Sequence, residues 1–136
     1  MRVLLDTNII LDEILKREPF YDDAVEVLRI CESKNPSLAP HTVSNIFYIV
    51  RRELSTEETK TTIRKLLRFV DVIPIGYPEI MAALDHETIV DFEDALQDVC
   101  ADEYDAEYII SRDSNGFAGS KVPIISPSDF IAMFNR

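Results

Sequence analysis

The chain has 136 residues, 46% of them hydrophobic and 29% charged, the size and balance of one folded domain over residues 1–136. Its apolar runs are only strand-length, which excludes a membrane span, and MRVLLDTNII meets an acid at its sixth position, which argues against a secretory signal. Twenty-five acids against fourteen bases give a net charge of −11, so binding a polyanion requires bound cations or a local basic patch. Cys31 and Cys100 form neither a CxxC motif nor a disulfide framework, and a reducing cytoplasm is the expected compartment.

In chain order, Val3-Leu4-Leu5 reads as a buried strand stopped by Asp6, followed by a helical pattern through Ile9, Ile10, Ile14 and Leu15. Pro19 is expected to open a second helix, with Asp22 and Asp23 in its first turn where the helix dipole favours acids. Ser37-Leu38-Ala39 reads as a short strand and 42–52 as a helix. Ser55 or Thr56 caps the next helix, whose Ile63, Leu66, Leu67 and Val70 are expected inside. The run 72–75 is strand-like, 78–84 a short helix, and Asp91 caps a helix to about Tyr104. Tyr108-Ile109-Ile110 forms a strand, 122–125 a last strand, and 128–134 a closing helix. This alternation predicts an α/β fold, a mostly parallel sheet covered on both faces, with its ligand crevice at the carboxyl ends of the strands.

Three acidic groups fall at that edge. Asp6 ends the first strand, Asp113 follows the strand 108–110, and Asp91-Phe92-Glu93-Asp94 fills the first turn of a helix. Taken singly, each is also an ordinary turn former or cap. Together they would repel unless a cation sat among them, and hard oxygen ligands select Mg²⁺ or Mn²⁺. Asp98, Asp102 and Asp105 continue the stripe and read as a solvated face. His41 and His86 stand in polar surroundings and are expected at the surface.

The set Leu4-Leu5-Asp6-Thr7-Asn8, Asp91-Phe92-Glu93-Asp94-Ala95-Leu96-Gln97 and Ile110-Ser111-Arg112-Asp113 resembles the PIN-domain ribonucleases, in particular their bacterial toxin-type branch. The resemblance spans the whole chain, with 122–130 similar to the family's closing strand and helix. It implies a three-layer α/β/α sandwich, divalent-metal-dependent cleavage of single-stranded or structured RNA, a homodimer and a small antitoxin partner. Carried over, it makes Asp6, Asp94 and Asp113 the metal-binding carboxylates, with Asn8 supporting them and Ser111 as the hydroxyl before Arg112-Asp113. Many members carry a glutamate where this chain has His41 to Ile46; Asn45 is the nearest substitute, and Asp91 or Glu93 either compensates or only caps the helix. That departure leaves a second reading open, a non-cleaving PIN domain that binds RNA or protein. A phosphoryl-accepting receiver domain would want an acidic pair near the end of its first strand, which Arg2-Val3-Leu4-Leu5-Asp6 lacks.

For RNA, Lys60, Arg64 and Arg68 recur every four residues as a phosphate-contacting stripe, or equally as a solvated face paired with Glu57 and Glu58. Arg112, beside Asp113, is the local candidate for a phosphate partner.

Overall fold

The computed structural model describes residues 1–135. Five strands, β1 (Arg2–Leu5), β2 (Asn35–Leu38), β3 (Asp71–Val72), β4 (Tyr108–Ile110) and β5 (Ile124–Ile125), form one sheet in the order β3-β2-β1-β4-β5. Every pairing is parallel. Seven helices cover it: α1 (Thr7–Ile14), α2 (Tyr21–Cys31), α3 (Pro40–Val50), α4 (Thr56–Leu66), α5 (Tyr77–Leu84), α6 (Phe92–Glu103) and α7 (Pro127–Phe134).

Alternation along the strands divides the core into two layers. Val3, Leu5 and Ile110 point into one cluster with residues of α1, α2, α3, α4 and α7, while Leu4 and Ile109 point into the other with α5 and α6. The result is a three-layer α/β/α sandwich whose strands, buried on both faces, read as continuous apolar runs. None of its helices is long and apolar enough to cross a membrane, among the described residues.

Element boundaries depart from expectation for local reasons. Phe20 rather than Pro19 precedes the first turn of α2, because Phe20 N–H bonds back to the Arg17 carbonyl and closes a turn ahead of the helix. Pro36 is accommodated within β2: Asn35 N–H bonds the Met1 carbonyl, so the Pro36 nitrogen faces the side where β3 begins only opposite Ser37. α3 begins at Pro40, which suits a first helical position. Ser55, not Thr56, caps α4, its hydroxyl accepting from Glu58 N–H at 3.1 Å. Leu67 ends that helix as an exposed C-cap instead of packing inside. β5 starts only at Ile124, since Val122 N–H is given to Asp98 and Pro123 has none.

β1 lies at the centre of the sheet. The chain leaves it for β2 and β3 on one side and reaches β4 and β5 on the other. The switch between β1 and β4 opens a crevice at their carboxyl ends. Register places Leu5 beside Ile110, so the next residues, Asp6 and Ser111, meet at that edge.

Candidate functional site

Asp6 is the anchor of the crevice. It caps α1 and is 7% exposed, a burial that its hydrogen bonds offset. Oδ1 accepts from Thr7 N–H at 2.8 Å and from Gln97 Nε2 at 2.9 Å. Oδ2 accepts from Asn8 Nδ2 at 3.0 Å and from the Ser111 hydroxyl at 2.6 Å. One carboxylate thus draws in β1, α1, α6 and the end of β4. Ser111 Oγ also accepts from Asp113 N–H at 2.9 Å, which ties the backbone of Asp113 to Asp6 through a single hydroxyl.

Gln97 escaped the sequence reading. It lies one helical turn beyond Asp94, and that i, i+3 spacing on a helix whose first turn faces the crevice was the available signal. Replacing Ser111 by alanine is expected to lower Mn²⁺ affinity about 10–100-fold, the usual cost of losing a partner that orients a ligand. Calorimetric titration checks this; unchanged affinity would show that Asp6 needs no such support.

Asp94 is the electrostatic centre. Burial pushes its carboxyl up from 3.8 to about 7, and Asp91, Asp6, Asp113 and Glu93, in falling order, push the same way. Asp113 lies on the same edge: a Cβ added at Gly116 would stand 2.5 Å from Asp113 Oδ2 and 3.0 Å from Asp94 Oδ2. Only glycine leaves that space open to both carboxyls. Asp113 Oδ1 accepts from Gly116 N–H at 3.0 Å. Asp91 Oδ1 accepts from Asp94 N–H at 3.0 Å, so this carboxylate is engaged in capping α6.

Asn45, on α3, donates from Nδ2 to Glu93 Oε2 at 3.1 Å, and both line the cavity. An acid therefore does stand beside Asn45, supplied from α6. His41 secures the same junction, its Nε2 donating to the Glu93 carbonyl at 3.0 Å. It belongs to α3 rather than to a surface loop, and burial lowers its pKa.

Asp98 overturns the solvated-face expectation. It is 0% exposed, pairs with His86 Nε2 at 2.8 Å, and accepts the backbone N–H groups of Lys121 and Val122. The segments 86–89 and 119–122 fold over that face of α6. His86 is correspondingly buried rather than at the surface, with its side chain 6% exposed.

The basic candidates separate. Arg112 donates to Asp12 from Nε at 2.7 Å and from Nη2 at 3.1 Å, and its guanidinium lies 3.7 Å from the Phe20 ring centroid. Its charge is matched on that side by the buried carboxylate of Asp12. Lys60 and Arg64 share a cavity between α3 and α4, and Lys60 approaches Glu57 at 3.9 Å. Arg68 lies beyond the end of α4, so the four-residue stripe stops at Arg64.

The donor set fits a hard divalent cation. Asp6, Asp94, Asp113 and Glu93 offer only oxygen, and the buried amide oxygens Asn8 Oδ1 and Gln97 Oε1, beside the same cavity, have no hydrogen-bond partner. Among the described residues no three acidic, histidine or cysteine side chains are yet grouped closely enough to hold an ion. Burial first, and then the neighbouring acids, favour a proton on Asp94.

A model of the PIN domain matches residues 2–115. The chain belongs to the PIN-domain family. Solved structures of the same fold include the VapBC2 complex of Rickettsia felis bound to a promoter DNA fragment, at TM-score 0.73 and 16% identity over 93% of this chain and 98% of that one. A toxin–antitoxin complex from Klebsiella pneumoniae aligns at TM-score 0.73 and 21% identity over 92% and 97%. The sarcin-ricin loop cleaving toxin VapC20 of Mycobacterium tuberculosis aligns at TM-score 0.69 and 12% identity, over 85% of this chain and 93% of that one. No curated protein matches this PIN domain in sequence.

Proposed function

We propose that this PIN domain is a divalent-cation-dependent endoribonuclease that hydrolyses RNA phosphodiester bonds, acting as the toxin of a toxin–antitoxin pair. The observation that carries the reading is Asp6, fixed by donors from three separate segments beside an Asp94 whose charge is opposed by burial and then by its acidic neighbours. Asp6, Asp94 and Asp113 would hold Mg²⁺ or Mn²⁺, with Glu93 nearby and Asp91 as a further acid. Bound there, the cation would supply an acidified water and charge neutralisation on the phosphate.

The remaining work falls to side chains. Asn8, Gln97 and Ser111 orient Asp6, and Asn45 orients Glu93. Asp94, half-buried among the other acids, or Asp113 orients the attacking water and takes its proton. Water is the nucleophile because the side-chain alternatives are engaged or inert. His86 is bound to Asp98 and His41 to the Glu93 carbonyl, while burial pushes both cysteine thiols up to about 12. Lys60 and Arg64 serve as outlying phosphate contacts.

The Klebsiella structure is a toxin–antitoxin complex, which supports an antitoxin as partner; a homodimer is proposed on the family resemblance alone. Asn45, an amide where many members carry an acid, favours a second reading, a binding module without cleavage. RNA cleavage with Mg²⁺ or Mn²⁺, compared between the wild type and Asp6→Asn, decides between them. Cation-dependent cleavage lost in the variant supports the nuclease. Cleavage surviving in the variant removes Asp6 from the chemistry, and none in the wild type at millimolar cation favours the binding module.

A further inference from the structure

Asp12 carries a charge into a place where charge is costly. It lies on α1 beyond Asp6 and is 1% exposed, so its carboxylate has been taken out of water. Among the described residues Arg112 is the one side chain that meets it, from Nε at 2.7 Å and from Nη2 at 3.1 Å. The guanidinium also lies over the Phe20 ring, 3.7 Å from its centroid. This pair lines a cavity of about 270 Å³ with Phe20, separate from the cavity of Asp6 and Asp94.

Stability alone is a poor reason for such a pair. Desolvation offsets the attraction, so apolar side chains of similar volume hold a fold about as well. What the pair does supply is direction, because a planar guanidinium that meets a carboxylate through two nitrogens is fixed in plane and distance.

That direction is imposed where the chain has little else to hold it. Residues 111–113 follow β4 and belong to no strand or helix. Ser111 N–H bonds the Ile125 carbonyl, and the Ser111 hydroxyl donates to Asp6, the cap of α1. Arg112 then reaches Asp12, farther along the same helix. Helix, hydroxyl bond, chain segment and ion pair make a closed ring, and Asp113 is the next residue along. With the ring opened at Arg112, Asp113 would keep only its N–H bond to Ser111 Oγ and the Gly116 N–H on its carboxylate.

We propose that Arg112 is a positioning residue, whose grip on Asp12 holds Asp113 at the distance from Asp6 that one shared divalent cation requires. The proposal rests on the cation-site reading and adds a residue whose side chain lies outside that site.

Two variants separate positioning from stability. Asp12→Val/Arg112→Met replaces the pair with apolar side chains of similar combined volume, and its urea midpoint should stay close to that of the wild type. Its Mn²⁺ affinity, read from the electron paramagnetic resonance of the free ion, should fall about 10–100-fold. Arg112→Lys keeps the charge but not the planar contact, and should also lose affinity with little change in midpoint. In EDTA, amide hydrogen exchange over 111–117 should be faster in both variants than in the wild type, with exchange in β1 and α6 unchanged. Should the double variant fail to fold, Arg112→Lys alone decides.

Wild-type affinity in the variants, wild-type exchange over 111–117, or an affinity loss that only follows a fall in the urea midpoint would overturn the proposal while the cation site stands. No Mn²⁺ binding by the wild type at millimolar concentration would overturn the cation-site reading and this proposal with it.

Discussion

Asp94→Asn should raise the melting temperature of the cation-free protein at pH 8 and, in the same variant, abolish stabilisation by Mn²⁺. In the wild type the Asp94 carboxyl is raised from 3.8 to about 7, by burial first and then by Asp91, Asp6, Asp113 and Glu93. Between those two values the folded state binds more protons than the unfolded one. Stability contributed by this group is therefore present near pH 4, declines as pH rises, and is lost above about 7. Asparagine carries no charge and removes that decline.

A cation held by the proposed site would behave oppositely. It would compete with the proton on Asp94, so its stabilising effect should be larger at pH 8 than at pH 6. Loss of cleavage in Asp94→Asn should exceed the roughly 10–100-fold expected for residues that only orient a ligand. Thermal melts in EDTA and in Mn²⁺ at the two pH values read both effects. A variant no more stable than wild type at pH 8, with its Mn²⁺ response intact, would remove Asp94 from the site.

The largest loss of stability is expected from Asp98→Ala. The Asp98 carboxylate is wholly buried and accepts from His86 Nε2 and from the backbone of Lys121 and Val122. His86 Nδ1 in turn accepts from Thr88 N–H at 3.3 Å and Ile89 N–H at 3.1 Å, which fixes the ring proton on Nε2. Alanine would leave those donors inside without a partner. Each buried donor left without its acceptor costs about 1–3 kcal/mol, a large share of a domain's stability when several are lost together. His86→Ala removes one donor and should cost about 1–3 kcal/mol. Urea denaturation measures both. A loss below about 1 kcal/mol for Asp98→Ala would mean that water readily replaces the carboxylate.

The Asp98 clamp also shows where sequence reading loses its hold. Asp94 and Asp98 are the same residue type four positions apart on one helix, and periodicity gives them neighbouring faces. Asp94 faces the crevice because α6 begins there. Asp98 is sealed because the segments 86–89 and 119–122 close over it. Nothing local to α6 announces those covers. Arg112 illustrates the same limit: nothing beside it in the sequence announces the acid it pairs with, which lies a hundred residues earlier in α1. Arg17 and Tyr48 carry no motif at all, and only the packing of α1 and α3 beside α6 puts them at one cavity.

By itself the sequence determined the strand and helix succession, the cap at Asp91, and the acids that fall where elements meet the carboxyl edge of the sheet. Those features depend on period, capping and turn chemistry, which act within about four residues. The tertiary structure alone decided which charges are matched and which stay free: Arg112 bound and Arg17 open, Asp98 sealed and Asp94 strained, Glu93 brought to Asn45. Charge pairing and burial depend on what long-range packing sets across a few ångströms, and the sheet order that brings β1 beside β4 supplied those neighbours.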